Sequence, residues 1–184
     1  MGIWTSRFEG IKTTKSLITP HVLPDVLATG LRIVFCGTAA GTVSAQRGAY
    51  YAHPQNKFWR VLHAVGLTPR LVRPEEYRDL PQWGLGLTDI AKHVSGMDRE
   101  LPAGALGDDA CAALTAKILA AQPRLLAFTS LTGGRRWLGR AAGFGDCGAR
   151  IGSTRVWLLP SPSPTAGWNF DERWWRRLAE EAGD

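Results

Sequence analysis

Three short runs of β-branched, aliphatic and aromatic residues fix most of what this chain can become. They are Leu31-Arg-Ile-Val-Phe-Cys36, Arg124-Leu-Leu-Ala-Phe-Thr-Ser130 and Arg155-Val-Trp-Leu-Leu-Pro160. A strand with one wet face alternates apolar and polar residues, whereas a nearly unbroken apolar run belongs to a strand covered on both faces. Each run gives way to glycine, serine or proline, where a loop leaves. Helical patterns lie between them. Asn56 to Val65 places Phe58, Leu62 and Val65 on one face, and Gly66 stops it. Pro74 opens a short helix, PEEYRDL, with proline and acids where a helix N-terminus accepts them. Gly86-Leu-Thr-Asp-Ile90 reads as a short strand or strand end, followed by a polar loop from Lys92 to Gly107. Asp108 to Ala121 is an alanine-rich helix that ends before Pro123, and Gly133 to Leu138 starts the next. Asn169 is placed to cap the last helix, with Glu172 completing a capping box and Trp174 and Leu178 sharing a face. Strands alternating with helices predict an α/β layered domain around a largely parallel sheet.

In such sheets ligands sit at the carboxyl ends of the strands. Three loops leave there: Gly37–His53, Asp89–Gly107 and Ser161–Asn169, all rich in small or polar residues. The site is expected where they meet. The chain of 184 residues suits one domain, expected over 21–184, with residues 1–20 as a basic extension carrying Arg7, Lys12 and Lys15. The apolar fraction of 45% and charged fraction of 21% exclude a disordered or fibrous chain. No apolar stretch is long enough to span a membrane, and the N-terminal residues lack a secretory h-region, so the expected location is cytoplasmic. Cys36, Cys111 and Cys147 are scattered, which suits free thiols and cannot supply a four-cysteine cluster. The four histidines show no metal-binding spacing, so no metal is expected. A formal charge of +6 favours a polyanionic partner. Arg173, Arg176 and Arg177 nonetheless read as a solvated helix face.

Two segments carry chemistry. Gly37-Thr-Ala-Ala-Gly41 follows the first strand with residues small enough for close backbone approach to a ligand, although alone it is a plain strand-to-helix turn. Tyr50-Tyr51-Ala-His-Pro-Gln-Asn-Lys-Phe-Trp59 puts aromatics in the same loop region; Phe58 and Trp59 read as core, while Tyr51 is suited to stack on a planar base. Together, Arg32-Ile-Val-Phe-Cys-Gly-Thr-Ala-Ala-Gly41 and Tyr51-Ala-His-Pro-Gln-Asn-Lys-Phe-Trp59 resemble the first motif and the HPxNxFW signature of the mismatch-specific uracil/thymine DNA glycosylases, within the uracil-DNA glycosylase superfamily. Gly84 to Ile90 resembles the family's middle active-site strand, and Leu158-Leu-Pro-Ser-Pro-Ser163 its second motif. The resemblance spans roughly residues 23–182.

It implies a three-layer α/β/α sandwich and a monofunctional, cofactor-free, monomeric enzyme. Such an enzyme flips uracil, mismatched or otherwise damaged bases out of DNA and hydrolyses the N-glycosidic bond in base-excision repair. Duplex DNA carrying uracil or a mismatch is the implied partner, with single strands left open, and the enzyme is nucleoid-associated when bound. Base contacts are implied at Thr38, Ala39, Tyr51 and Ser161. DNA contacts are implied at Gly41, Ser44 and Ser163, and at the wedge Pro164-Thr165-Ala166, with Trp168 beside it as either a wedge or a core residue. Ser44 and Ser163 also read as ordinary turn serines.

The departures matter more. Many family members carry at the position of Ala39 an asparagine that orients the attacking water, which alanine cannot do. Asp89 is the expected replacement, as the catalytic carboxylate; it is similar to the acidic residue of a bacterial branch of the family. The competing reading is a surface or capping aspartate next to a strand, and Asp98 and Asp146 are loop carboxylates without a motif. Ser161 stands where the family often has asparagine or histidine, which implies looser base recognition. Two alternatives stay open: a catalytically weak sensor that binds mismatched or damaged DNA, and an enzyme acting on small nucleotides.

Overall fold

The computed structural model describes residues 20–183, so the expected extension lies, except for Pro20, outside the described residues. Five strands form one sheet in the order β2-β1-β3-β5-β4. They are β1 (Ile33–Ala40), β2 (Leu85–Ser95), β3 (Leu125–Phe128), β4 (Gly145–Ile151) and β5 (Thr154–Leu158). All pairings are parallel except β4 with β5, a hairpin at the sheet edge. The α-helices are α1 (Thr42–Arg47), α2 (Phe58–Ala64), α3 (Asp108–Ala121), α4 (Leu131–Leu138) and α5 (Glu172–Gly183), and a 3-10 helix spans Pro74–Trp83.

Successive side chains of a strand point to opposite faces, and the core divides accordingly. Ile33, Phe35, Leu125, Ala127 and Trp157 face α2, the 3-10 helix and α5. Val34, Cys36, Leu126, Phe128 and Val156 face α3 and α4. Two apolar layers on one sheet give the α/β/α sandwich and explain why β1 and β3 read as unbroken apolar runs.

Several sequence expectations need correction. The first strand runs on to Ala40, so Gly37 to Ala40 is strand and not turn, and only Gly41 begins the loop. The middle strand extends to Ser95, consuming the start of the expected polar loop. Strand β4 was not expected: Gly-Asp-Cys-Gly-Ala-Arg-Ile is polar on alternate positions because it is an edge strand, exposed on one side. The last helix starts at Glu172, so its cap position falls on Asp171, whose Oδ1 accepts from the Arg173 amide at 3.0 Å, while Asn169 ends the preceding 3-10 turn and its side chain lies outside the described residues. Its buried face is led by Trp175, Leu178 and Ala182, with Trp174 only half-buried.

A segment ahead of β1 closes the outer edge of β2. Val26 exchanges two backbone hydrogen bonds with Leu87, and the Val22 amide donates to the Lys92 carbonyl at 2.8 Å. That antiparallel strap covers an edge otherwise open to pairing with another chain.

Candidate active site

From β1 the chain crosses to β2 on one side, while β3 pairs on the other, so the carboxyl ends of β1 and β3 flank a topological switch point. A cavity of about 580 Å³ opens there. Its floor is made of strand ends: Gly37 and Thr38 from β1, Asp89 from β2, and Thr129 and Ser130 just past β3. The loops after α1 and β5 wall it with Tyr51 and Ser161.

The parallel register pairs Gly37 with Asp89, so the glycine and the carboxylate are lateral neighbours. Asp89 is 4% exposed. Its Oδ1 occupies the space a side chain on Gly37 would fill, with the Tyr51 hydroxyl 3.5 Å from the same point. Glycine is required here for room; its backbone is ordinary extended strand. Burial raises the carboxyl to a pKa of about 6, with Lys92 pulling it down and Asp25 pushing it up. A carboxylate poised there changes charge close to neutral pH, where a general base works best.

Tyr51 is held at both ends. Its ring stacks on Phe58 at 3.8 Å between centroids, and its hydroxyl shares a 3.0 Å hydrogen bond with Thr129 Oγ1. Phe58 in turn packs edge-on against Phe35 and Trp175 in the core. The Tyr51 backbone has φ of 51°, a left-handed conformation that a non-glycine residue adopts only when its surroundings impose it. The HPxNxFW stretch supplies that imposition. Asn56 Oδ1 accepts from the Phe58 amide at 3.0 Å, Trp59 Nε1 donates to the Tyr50 carbonyl at 3.0 Å, and the Lys57 amide donates to the Pro162 carbonyl at 2.9 Å. The last bond ties this loop directly to the Ser161–Ser163 loop.

Hydroxyls line the floor. Thr38 Oγ1 and Ser130 Oγ share a 2.9 Å hydrogen bond, and Ser130 Oγ also caps α4 by accepting from the Gly133 amide. Ser161 Oγ accepts from the Ser163 amide at 3.3 Å. Ala39 lines the cavity with a methyl group that can neither donate nor accept.

Of the residues singled out in the sequence, Thr38, Ala39, Gly41, Ser44, Tyr51 and Asp89 come together around the cavity. So do Ser161, Ser163, Pro164 and Thr165, whereas Ala166 does not line it. Ser44 is 7% exposed and its Oγ accepts from the Ala52 amide at 3.1 Å, so its oxygen shapes the loop. Ser163 caps the Pro164–Asn169 turn, accepting from Thr165. The side chain of Trp168 is outside the described residues. Among the competing carboxylates, Asp98 sits on the cavity rim, whereas Asp146 pairs with Arg155 at 2.7 Å on the β4–β5 hairpin, away from the cavity. Arg173 and Arg176 pair with Asp171 and Glu172 on α5, and Arg177 lies over Trp174.

Sequence reasoning passed over Thr129 and Ser130, although the end of a buried parallel strand is the signal that marks them. It also passed over Arg99, whose loop after β2 forms part of the rim. The cluster of Asp25, Lys92 and Tyr50 beneath Asp89 carried no local signal at all. No helix among the described residues is long and apolar enough to cross a membrane.

Known proteins agree with this architecture. A solution NMR structure of a protein from Methanosarcina acetivorans, named as a candidate uracil DNA glycosylase, is similar at a TM-score of 0.59 and 20% identity, covering 90% of this chain and 99% of that one. The sequence pattern of the uracil DNA glycosylase superfamily matches residues 24–181, which takes in all five strands and every residue that lines the cavity except Leu23. The chain belongs to the uracil DNA glycosylase superfamily.

Proposed function

We propose that the protein is a monofunctional DNA glycosylase that releases uracil from DNA, with Asp89 as general base. The observation that carries this reading is the Asp89 carboxylate on the floor of the same cavity that Tyr51 walls. A base inside a duplex keeps its glycosidic bond out of reach of such a floor, so the nucleotide must be flipped into the cavity. The flipped ring lies along Tyr51, and the hydroxyls of Thr38, Ser130 and Ser161 meet its polar edge.

As the C1′–N1 bond lengthens, its electron pair leaves with the base and positive charge grows on the sugar. Asp89 stabilises that charge and accepts a proton from the water whose oxygen bonds C1′. The products are an abasic sugar and the free base. No amine is needed in this sequence, and Lys92 is engaged with Asp25 and Tyr50 beneath the floor. Hydroxyls both donate and accept, so a floor of Thr38, Ser130 and Ser161 discriminates less sharply than an amide would. Residues 1–20 are proposed as an extension and 21–184 as one glycosylase domain.

The test is release of free uracil from a duplex with a single uracil, leaving an alkali-labile abasic site, in the presence of a chelator. Tight binding of the duplex without base release would favour the sensor reading, for which Ala39 is the specific reason. Hydrolysis of free nucleotides with no response to duplex would favour a small-nucleotide enzyme.

Arg99 stands at the cavity rim, with its guanidinium 3.9 Å from Met97 Sδ and exposed to solvent. On this reading it meets a phosphate next to the flipped nucleotide. Arg99→Ala is expected to weaken duplex binding at low salt and to reduce the slope of log K against log salt by about one. Cleavage at saturating enzyme stays near the wild-type rate. Titration by fluorescence anisotropy at several salt concentrations measures both slope and affinity.

A further inference from the structure

Beneath the cavity floor lies a charged cluster that the reaction above leaves unused. Strand β2 leaves its partner between Ala91, which pairs with Ala39, and Ser95, which pairs with Ala40, so Lys92, His93 and Val94 bulge out of the β1 register. A bulge re-aims side chains, and this one turns Lys92 inward to 7% exposure. Its Nζ lies 2.9 Å from Asp25 Oδ1, 2.8 Å from the Tyr50 hydroxyl and 3.8 Å from Asp89 Oδ2. Asp25 comes from the strap on the β2 edge and is itself held by Thr88 Oγ1 at 2.7 Å and Lys117 Nζ at 3.1 Å.

An ammonium group can only donate, so the Tyr50 oxygen accepts from Lys92. The phenol then has one proton, free to point elsewhere, and the Asp89 carboxylate lies against the same ammonium, with its Oδ2 3.8 Å from Lys92 Nζ. Tyr50 cannot swing away: it is 2% exposed, its carbonyl accepts from Trp59, and its ring packs against Tyr77 at 5.4 Å. Burial holds the phenol far above its ordinary pKa, so it keeps the proton it donates.

We propose that Lys92, anchored by Asp25, is a positioning residue that orients the Tyr50 hydroxyl toward Asp89 and so holds that carboxylate ionised, in one rotamer, against Gly37. The inference rests on Asp89 being the base. The groups facing Asp89 are Lys92 from β2, Asp25 from the strap, Lys117 from α3, whose Nζ is 3.5 Å from the Asp89 carbonyl, Tyr50 and Tyr51 from the loop after α1, and the Cys36 thiol of β1. The two lysines balance the two aspartates. Removing Lys92 leaves Asp89 with an uncompensated neighbour and an undirected phenol, and both changes favour the protonated acid.

The experiment follows the side-chain carboxyl NMR signal of Asp89 against pH in the full chain, assigned by its loss in Asp89→Asn. Lys92→Met is expected to raise the titration midpoint by about one unit or more. Tyr50→Phe should raise it in the same direction with the lysine still present. Single-turnover uracil release then falls only about twofold at pH 7 but about tenfold near pH 5 for a one-unit shift, and it recovers as the pH rises. A purely structural role lowers the rate equally at every pH, and that result, or an unmoved midpoint, overturns the proposal. If Lys92→Met does not fold, Tyr50→Phe carries the same test. Full activity in Asp89→Asn would instead sink the assignment of the base, which the titration midpoints distinguish from failure of the relay.

Discussion

Asp89→Asn is expected to lose on the order of a hundredfold or more in single-turnover uracil release while binding a uracil duplex as tightly as the wild type. Asparagine keeps the shape of the side chain against Gly37 but can neither take a proton nor oppose the charge that grows on the sugar. The fold should survive, because Asp25 still holds both Lys92 and Lys117. The wild-type rate carries a second signature. Burial raises the Asp89 carboxyl to about 6 against the pull of Lys92. A base acts when ionised, so the rate is full above that pH and is lost as pH falls through it, about tenfold per unit further down. The residual rate of Asp89→Asn lacks this limb. Quenched-flow measurement of base release across pH, beside an anisotropy titration of binding, reads both effects. An unchanged rate would move the chemistry to another carboxylate, of which Asp98 at the rim is the one within the cavity.

The parts of this molecule that could be read from its sequence are those whose causes are local. Strands β1, β3 and β5 announce themselves because burial on both faces removes polar residues. Helix α3 begins and ends where its glycine and proline flanks put it. The edge strand β4 escaped notice because its alternating Asp146, Gly148 and Arg150 mimic a loop, although Ile151-Gly-Ser-Thr154 is a two-residue hairpin connection with Gly152 at φ of 59°. The far half of β2 escaped for a different reason. Lys92 looks like a loop residue until Asp25 and Tyr50, distant in sequence, are brought against it.

The same division runs through the site. Gly37, Tyr51 and Asp89 sit in stretches whose pattern suggests them, and the parallel register then brings Gly37 and Asp89 side by side. Thr129 and Ser130 reach the cavity only because β3 lies beside β1, which follows from the strand order and not from any motif. Motif reasoning thus finds Gly37, Tyr51 and Asp89, and topology adds Thr129 and Ser130 to the same cavity.

Gly37→Ala is the second substitution with a large expected effect, and its cause is purely spatial. Gly37 lies in extended strand, so alanine has no difficulty with the backbone. Its methyl group, however, would overlap Asp89 Oδ1 and sit 3.5 Å from the Tyr51 hydroxyl. Strand β1 is hydrogen-bonded to β2 on one side and β3 on the other, so it cannot retreat. The carboxylate must rotate out of its position or the strands must separate. Overpacking of this kind destabilises by about 1–3 kcal/mol, visible as a lower denaturation midpoint with an unchanged slope. Base release is expected to fall on the order of a hundredfold, because a carboxylate displaced from the water's position loses most of its effect. The two substitutions act on one interaction, so their effects on rate are not additive. Gly37→Ala placed on Asp89→Asn should lower the rate little further, while its effect on stability persists. A Gly37→Ala enzyme that cleaves at the wild-type rate would mean that the carboxylate works from somewhere other than the face of β1, and the geometry of the proposed water site would have to be drawn again.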